Sequence, residues 1–265
     1  MFNSEGIEKT TGFINVDDQL LYTVSYHHYK DRPTIILLHD SLGCIQLWRD
    51  FPLQLSEAVQ CNVLVYDRLG YGESVPMPGY ERTNNYMEQE AAVLNSLLTL
   101  LEIDNALLFG HSDGGSIALI AASRYPDRIR AVMAEAAHIF VEDITLKGIR
   151  EAMEAYGTTD LQQRLARYHG NKTDTLFKAW TLTWTRDDFR NWNIEHLLPG
   201  ITCPLLFIQG EADEYGTLAQ VTQTISQVSG SATSYIIPGV GHTPHKEAPE
   251  LVLMAVAHFL AGQSF

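Results

Sequence analysis

The sequence is poor in cations, in cysteine and in long apolar runs. Eighteen lysines and arginines stand against 32 aspartates and glutamates, a formal net charge of −14. A field of that sign repels phosphate backbones and anionic headgroups, which disfavours nucleic acid and membrane surfaces as partners. No apolar stretch approaches the roughly 18 residues that a membrane-spanning helix needs. The opening segment MFNSEGIEKT carries acids where a secretory leader needs a cationic stretch. The expectation is a cytoplasmic protein. Three cysteines, Cys44, Cys61 and Cys203, are odd in number and form no C-x-x-C pair, which argues for free, buried thiols rather than a disulfide framework or a zinc site. The 10 histidines come without an H-E-x-x-H or carboxylate-spaced set, so no metal and no cofactor is expected.

What is present is enough apolar material for a sizeable core. With 265 residues, 45% hydrophobic and 19% charged, the chain suits one large α/β domain carrying an insertion. Residues 7–16 and 19–27 alternate loosely around Asp17-Asp18 and read as an antiparallel hairpin. Thr34-Ile35-Ile36-Leu37-Leu38, Val63-Leu64-Val65-Tyr66 and Ala106-Leu107-Leu108-Phe109 are instead continuous apolar runs, as strands covered on both faces are. Runs at 129–133 and 205–208 repeat the pattern, and helical spacing fills 84–101 and 116–125 between them. Alternating strands and helices imply a mostly parallel sheet with helices on both faces. The order breaks at residues 138–199, which hold three of the four tryptophans and no buried-strand run. The expected division is a core of 1–137 and 200–265 with a helical cap of 138–199 over the carboxyl edge of the sheet, where open α/β sheets bind ligands.

The sharpest chemical feature is Gly110-His111-Ser112-Asp113-Gly114, a G-x-S-x-G motif after a buried-strand run and before a helix. A tight strand-to-helix turn strains its central residue and crowds its neighbours, which flanking glycines tolerate. Ser112 is thereby expected to stand exposed at the sheet edge, at the amino end of a helix whose free N–H groups favour a developing oxyanion. A serine hydroxyl is a poor nucleophile unless a histidine takes its proton and a carboxylate orients that histidine. Asp213 follows one late strand run and His242 another, in the chain order expected on this fold. Glu211 and Glu214 compete for the acid role, but read as solvated loop charges. His245 competes for the base role, but Pro244 and a helix starting near Ala248 place it at the rim. The oxyanion donors are expected to be the backbone N–H groups of Asp113 and of Ser41, with Leu42 as runner-up, in the loop after the first parallel strand. His39 and Asp40 are expected to hold that loop. Leu42, Phe140, Trp180 and Trp184 are candidates for lining an acyl pocket.

From about Thr34 onward the chain resembles the α/β-hydrolase superfamily. The resemblance is carried by His39-Asp40-Ser41-Leu42-Gly43, Asp67-Arg68-Leu69-Gly70-Tyr71-Gly72-Glu73-Ser74, the serine turn, the insertion, Gly210-x-x-Asp213 and Gly241-His242, in family order. Gly110-His111-Ser112-Asp113-Gly114-Gly115, Arg124-Tyr125-Pro126, and Leu198-Pro199 leading to Cys203-Pro204 make it similar to the biphenyl-hydrolase-like (valacyclovir hydrolase) carboxylesterases. Most relatives have His-Gly where this chain has His39-Asp40. The resemblance implies a serine hydrolase of small to medium carboxylic esters. It also implies that Asp113 stands where such enzymes bind a substrate α-ammonium group, although an acid in a first helical turn also caps free N–H groups. The rivals are hydrolysis of carbon–carbon bonds in 2-hydroxy-6-oxo-dienoates, with Arg186 or Arg190 as the only cationic candidates for the substrate carboxylate, and a non-catalytic ligand receptor of the same fold.

Overall fold

A computed structural model describes residues 6–263 of the chain. Strands β1 (Glu8–Val16) and β2 (Gln19–His27) form the antiparallel hairpin, and Asp17 and Asp18 make its two-residue turn with φ of 49° and 63°. Positive φ at both central residues matches the twist of a hairpin, and Asp is among the residues that adopt it most readily. The remaining strands are β3 (Thr34–Leu38), β4 (Asn62–Tyr66), β5 (Ala106–His111), β6 (Ile129–Glu135), β7 (Leu205–Gly210) and β8 (Ala232–Ile237). They complete one eight-stranded sheet in the order β1-β2-β4-β3-β5-β6-β7-β8. β2 joins β4 antiparallel, and every pairing from β4 to β8 is parallel.

The apolar runs are continuous because successive side chains serve two cores. Ile35, Leu37, Val63, Val65, Leu107 and Phe109 face a layer closed by α1 (Phe51–Val59) and α9 (Pro249–Ala261). Ile36, Leu38, Leu64, Tyr66 and Leu108 face α2 (Tyr86–Leu100) and α3 (Asp113–Arg124) on the other side. Each such buried aliphatic side chain contributes about 1.5–3 kcal/mol relative to its exposure. β8 escapes a run-based reading because it is an edge strand with partly exposed residues. Only its last two residues, Ile236 and Ile237, resemble the interior strands.

Between β6 and β7 the chain forms α4 (Asp143–Thr158), α5 (Leu161–His169) and α6 (Thr173–Trp184), followed by two 3-10 turns at Asp187–Phe189 and Glu195–Gly200. Phe177, Trp180, Trp184, Phe189 and Trp192 belong to the same hydrophobic cluster as α2 and α3. These helices share the main core and do not build one of their own. Two further helices, α7 (Leu218–Gln227) and the single turn α8 (Pro244–Glu247), complete the chain. The sheet reverses its winding at β3, whose neighbours are β4 on one side and β5 on the other. A crevice opens outside the carboxyl ends of strands at such a switch point.

Candidate active site

The carboxyl end of β5 runs into α3 through Ser112, whose φ of 54° and ψ of −120° lie outside the regions that L-residues favour. Strain of this kind costs on the order of 1–3 kcal/mol and is held here by close backbone packing. A Cβ on Gly110 would sit 2.1 Å from the Gly114 carbonyl oxygen, and one on Gly114 would sit 2.0 Å from that of Leu38. The Ser112 N–H donates to the Glu135 carbonyl at 2.8 Å, tying the turn to β6. Ser112 is only 8% exposed, contrary to the open position expected for it, because α4 and α6 roof the edge. It faces a cavity of about 180 Å³ instead of bulk solvent.

The loop after β7 carries Asp213 and the loop after β8 carries His242 to this edge. His242 Nε2 lies 3.0 Å from Ser112 Oγ, and His242 Nδ1 lies 2.9 Å from both Asp213 oxygens. Asp213 also accepts from the backbone N–H groups of Tyr215 at 2.7 Å and Gly216 at 3.1 Å, and from the Gln209 side-chain amide at 2.7 Å. Burial alone would raise the Asp213 pKa, but the imidazole and these donors hold it below the ordinary carboxylate value. An ionised Asp213 keeps the proton on Nδ1 and leaves Nε2 free to accept from the serine. Burial pulls the His242 pKa down, and the Asp213 hydrogen bond and charge outweigh it, so the net shift is upward. A hydroxyl, an imidazole and a carboxylate in this chain can move a proton off the hydroxyl as it attacks an acyl carbon.

The competing carboxylates do not reach the imidazole. Glu211 accepts from the Gly239 N–H and Glu214 from the His242 N–H, each at 3.2 Å, so both brace the backbone of the histidine loop. The placement expected for His245 is overturned. The α8 turn begins at Pro244 and directs His245 inward, where it is 4% exposed, its ring tilted at 38° to that of Trp48 with centroids 4.4 Å apart, and bonded through Nδ1 to Glu135 at 2.5 Å. Glu135 also accepts the His245 backbone N–H at 2.8 Å. Burial pushes the Glu135 pKa up to about 7 and the His245 pKa down to about 3, so the surroundings disfavour the charged form of each partner. His111 packs between the two imidazoles, with ring centroids 5.1 Å from His242 and 4.8 Å from His245, and its Nε2 donates to the His242 carbonyl at 2.8 Å. His111, Glu135 and His245 offer metal-ligating atoms within 4.8 Å of one another. Glu135 Oε2 and His245 Nδ1 are already bonded to each other, and Glu135 Oε1 holds the His245 backbone N–H. Sequence reasoning missed this cluster, although Glu135 leaves a signal as a lone acid closing the apolar strand run of β6.

The Ser41 loop and the first turn of α3 flank Ser112 in the cavity wall, together with Leu42. The leading N–H groups of a helix have no intrahelical acceptor, so that of Asp113 is free to meet an oxyanion. Beside them, His39 Nε2 accepts the Arg68 N–H at 3.1 Å and its Nδ1 donates to the Asp40 carbonyl at 2.8 Å. Asp40 folds so tightly over Gly43 that a Cβ there would lie 1.9 Å from its carboxylate. His39 and Asp40 thus fix the loop, as the sequence suggests. The Leu42 carbonyl is met from the inserted segment by His169 Nε2 at 3.0 Å.

Trp180 and Trp184 of α6 line the cavity with Thr145 and Ile149 of α4. Phe140 does not line it. Its backbone bridges to Asn193, its carbonyl accepts the Gln220 amide at 3.1 Å, and its ring packs on the hydrophobic cluster. Arg186 and Arg190 are also elsewhere, the first bonded to Asn84, Asp188 and the Arg82 carbonyl, the second to Asp143. Among the described residues, the charged side chains of the wall are Asp40, Asp113 and Glu214, with no Lys or Arg. The Asp113 carboxylate does not cap its helix. It accepts the Tyr86 hydroxyl at 2.9 Å, lies 4.0 Å from the Arg68 guanidinium, and is reached by Trp184 through Tyr86 at 3.0 Å.

A doubly covered parallel sheet with a serine turn at its carboxyl edge and this side-chain geometry defines the α/β-hydrolase class. The chain belongs to the alpha/beta hydrolase family, whose sequence model matches residues 35–255. It is 26% identical to a putative 2-succinyl-6-hydroxy-2,4-cyclohexadiene-1-carboxylate synthase of Bacillus subtilis, over 94% of this chain and 98% of that one. It is 30% identical to the mouse serine hydrolase BPHL over 80% of this chain and 73% of that one. To the Bacillus subtilis carboxylesterase YbfK it is 27% identical over 88% of this chain and 82% of that one. The crystal structure of that carboxylesterase matches with a TM-score of 0.70, covering 97% of this chain and 93% of the other at 21% identity. Among the described residues no helix is long and apolar enough to cross a membrane, and Cys44, Cys61 and Cys203 are free and buried.

Proposed function

We propose that the protein is a serine esterase acting on small to medium carboxylic esters through an acyl-enzyme. Ser112 attacks the acyl carbonyl and His242 takes its proton. The N–H groups of Asp113 and Ser41 receive the oxyanion, and His242 returns the proton to the leaving alcohol. Water, activated by His242, then releases the acid. Asp213 holds the imidazole tautomer and stabilises the imidazolium. Residues 138–199 act as the cap that closes the site. The observation that carries this reading is the unbroken Ser112–His242–Asp213 hydrogen-bond chain opening on a cavity. At about 180 Å³ that cavity is below the roughly 300–1,000 Å³ of drug-sized sites, which favours short acyl or alcohol groups.

The absence of Lys and Arg from the wall speaks against 2-hydroxy-6-oxo-dienoates, whose carboxylate would face Asp40, Asp113 and Glu214 unpaired. An α-ammonium ester suits the sign of the wall, but the Asp113 carboxylate is already engaged by Tyr86 and Arg68. Fluorophosphonate labelling tests the reading directly. The expected result is covalent modification at Ser112 with turnover of p-nitrophenyl butyrate. An intact chain that resists labelling would be a binding protein, and one that cleaves dienoates but not esters would be a carbon–carbon hydrolase.

A further inference from the structure

One buried polar atom beside the cavity takes no part in the hydrogen-bonded chain of the site. His138 follows β6, is 3% exposed and forms part of the cavity wall. Its ring meets Trp184 edge-on at 5.4 Å and lies 5.9 Å from the ring of His242. The backbone is pinned to the first turn of α3, since the His138 N–H donates to Ser116 Oγ at 3.1 Å and the Ser116 hydroxyl donates to the His138 carbonyl at 2.6 Å. The ring is oriented by its Nε2, 3.1 Å from the Tyr215 carbonyl oxygen. A carbonyl only accepts, so Nε2 carries the proton and Nδ1 keeps a lone pair. Burial lowers the pKa of this imidazole, which keeps it neutral at neutral pH. Yet Nδ1 is buried and has no hydrogen-bond partner among the described residues. Buried acceptors are nearly always satisfied, and an exception in the wall of a binding cavity points to a ligand donor.

We propose that His138 is a specificity-determining residue whose Nδ1 accepts a hydrogen bond from the substrate. The preferred ester therefore carries a hydroxyl group within a few atoms of its scissile carbonyl. This rests on the esterase reading, because the position of His138 beside His242 places the donor near the reacting acyl group. A site built to bond a substrate hydroxyl rejects the analogue that lacks it, since the buried acceptor is then left unpaired.

The experiment compares kcat/KM for ethyl butanoate with that for its 2-hydroxy and 3-hydroxy derivatives, in the wild-type protein and in His138→Phe. For at least one hydroxy ester, the ratio of hydroxy to plain ester should fall at least tenfold in His138→Phe, with part of the ratio regained in His138→Gln, which restores an acceptor. Unchanged ratios for both derivatives would overturn the proposal while leaving the esterase reading intact. Absence of ester turnover together with absence of fluorophosphonate labelling in the wild type would overturn both. A second measurement needs no change at His138. In Ser112→Ala protein with ¹⁵N-labelled histidine, a hydroxy ester should shift the His138 Nδ1 resonance away from its free lone-pair position, and ethyl butanoate should not. Equal shifts with both, or none with either, would also overturn it.

Discussion

Two carboxylate–imidazole pairs use histidines three residues apart in the chain after β8, His242 in the loop and His245 in α8, and their difference shows what makes one of them usable. Asp213–His242 opens on a cavity, and backbone and amide donors surround its carboxylate. His242 and those donors keep Asp213 ionised, and Asp213 raises the proton affinity of the imidazole that faces Ser112. Glu135–His245 has a comparably close contact but is sealed among Trp48, Phe51 and His111. Burial there favours the uncharged form of both partners, and among the described residues no hydroxyl is hydrogen-bonded to the His245 ring. The contact itself is shared by both pairs. What separates them is whether the surroundings support a charge and whether a hydroxyl waits on the far nitrogen.

The comparison breaks most visibly at its reactive end. Ser112→Ala and His242→Ala should each lower kcat by about three orders of magnitude or more, with the folded structure retained by circular dichroism. If His245→Phe matched that loss in a folded protein and His242→Ala did not, the roles assigned to the two pairs would have to be exchanged. Asp213→Asn should cost somewhat less, about two to three orders, because the serine, the base and the oxyanion donors remain. It should also move the pH profile. A base acts when deprotonated, so kcat/KM should rise with pH as His242 loses its proton, with a midpoint above the ordinary imidazole value of about 6.5. Replacing the carboxylate removes the interaction that raises this pKa, so the midpoint should fall. A midpoint that did not move would shift the acid role to another carboxylate.

At the sealed pair the expected loss is of stability rather than chemistry. Glu135→Ala leaves the His245 N–H buried without its acceptor and the imidazole without its hydrogen-bond partner, which costs about 1–3 kcal/mol, read as a lower denaturation midpoint. Turnover should fall less than in Asp213→Asn, because Glu135 reaches the reacting atoms only through the placing of the histidine loop. Glu135→Gln, which keeps an acceptor for the backbone N–H, should recover part of the stability.

The reactive end was legible in the sequence because its local geometry demands particular residue types. Glycine must flank Ser112 where a Cβ would collide with backbone. The chain order of serine, acid and base follows from the order of strand ends along one sheet edge. The sealed pair was not legible, since nothing local shows that β6 and α8 meet. His245 read as a rim residue because Pro244 marks a turn without showing which way it faces. Phe140 failed as a pocket residue for a similar reason. Aromatic residues in the insertion pack into the shared core, and tertiary packing alone decides which of them also line the cavity, as Trp180 and Trp184 do and Phe140 does not. Asp113 read as a cap or a substrate ligand, whereas its partners, Tyr86 and Arg68, come from segments whose approach no local pattern encodes.

Glu214 gives the smallest and most diagnostic effect. It is exposed, it accepts the His242 N–H at 3.2 Å, and its charge is among the influences that raise the His242 pKa. Water screens an exposed charge, so its influence is a fraction of what the buried Asp213 exerts through a direct hydrogen bond. Glu214→Gln keeps an oxygen for the His242 N–H and removes only the charge. Turnover of a neutral ester should stay within about threefold, and the midpoint of the kcat/KM profile should move down by less than in Asp213→Asn. Raising the salt concentration in the wild type should shift the midpoint in the same direction, because screening and substitution weaken the same interaction. If Glu214→Gln shifted the midpoint as far as Asp213→Asn, charge near the loop would govern the base, and the direct Asp213 bond would lose its special standing.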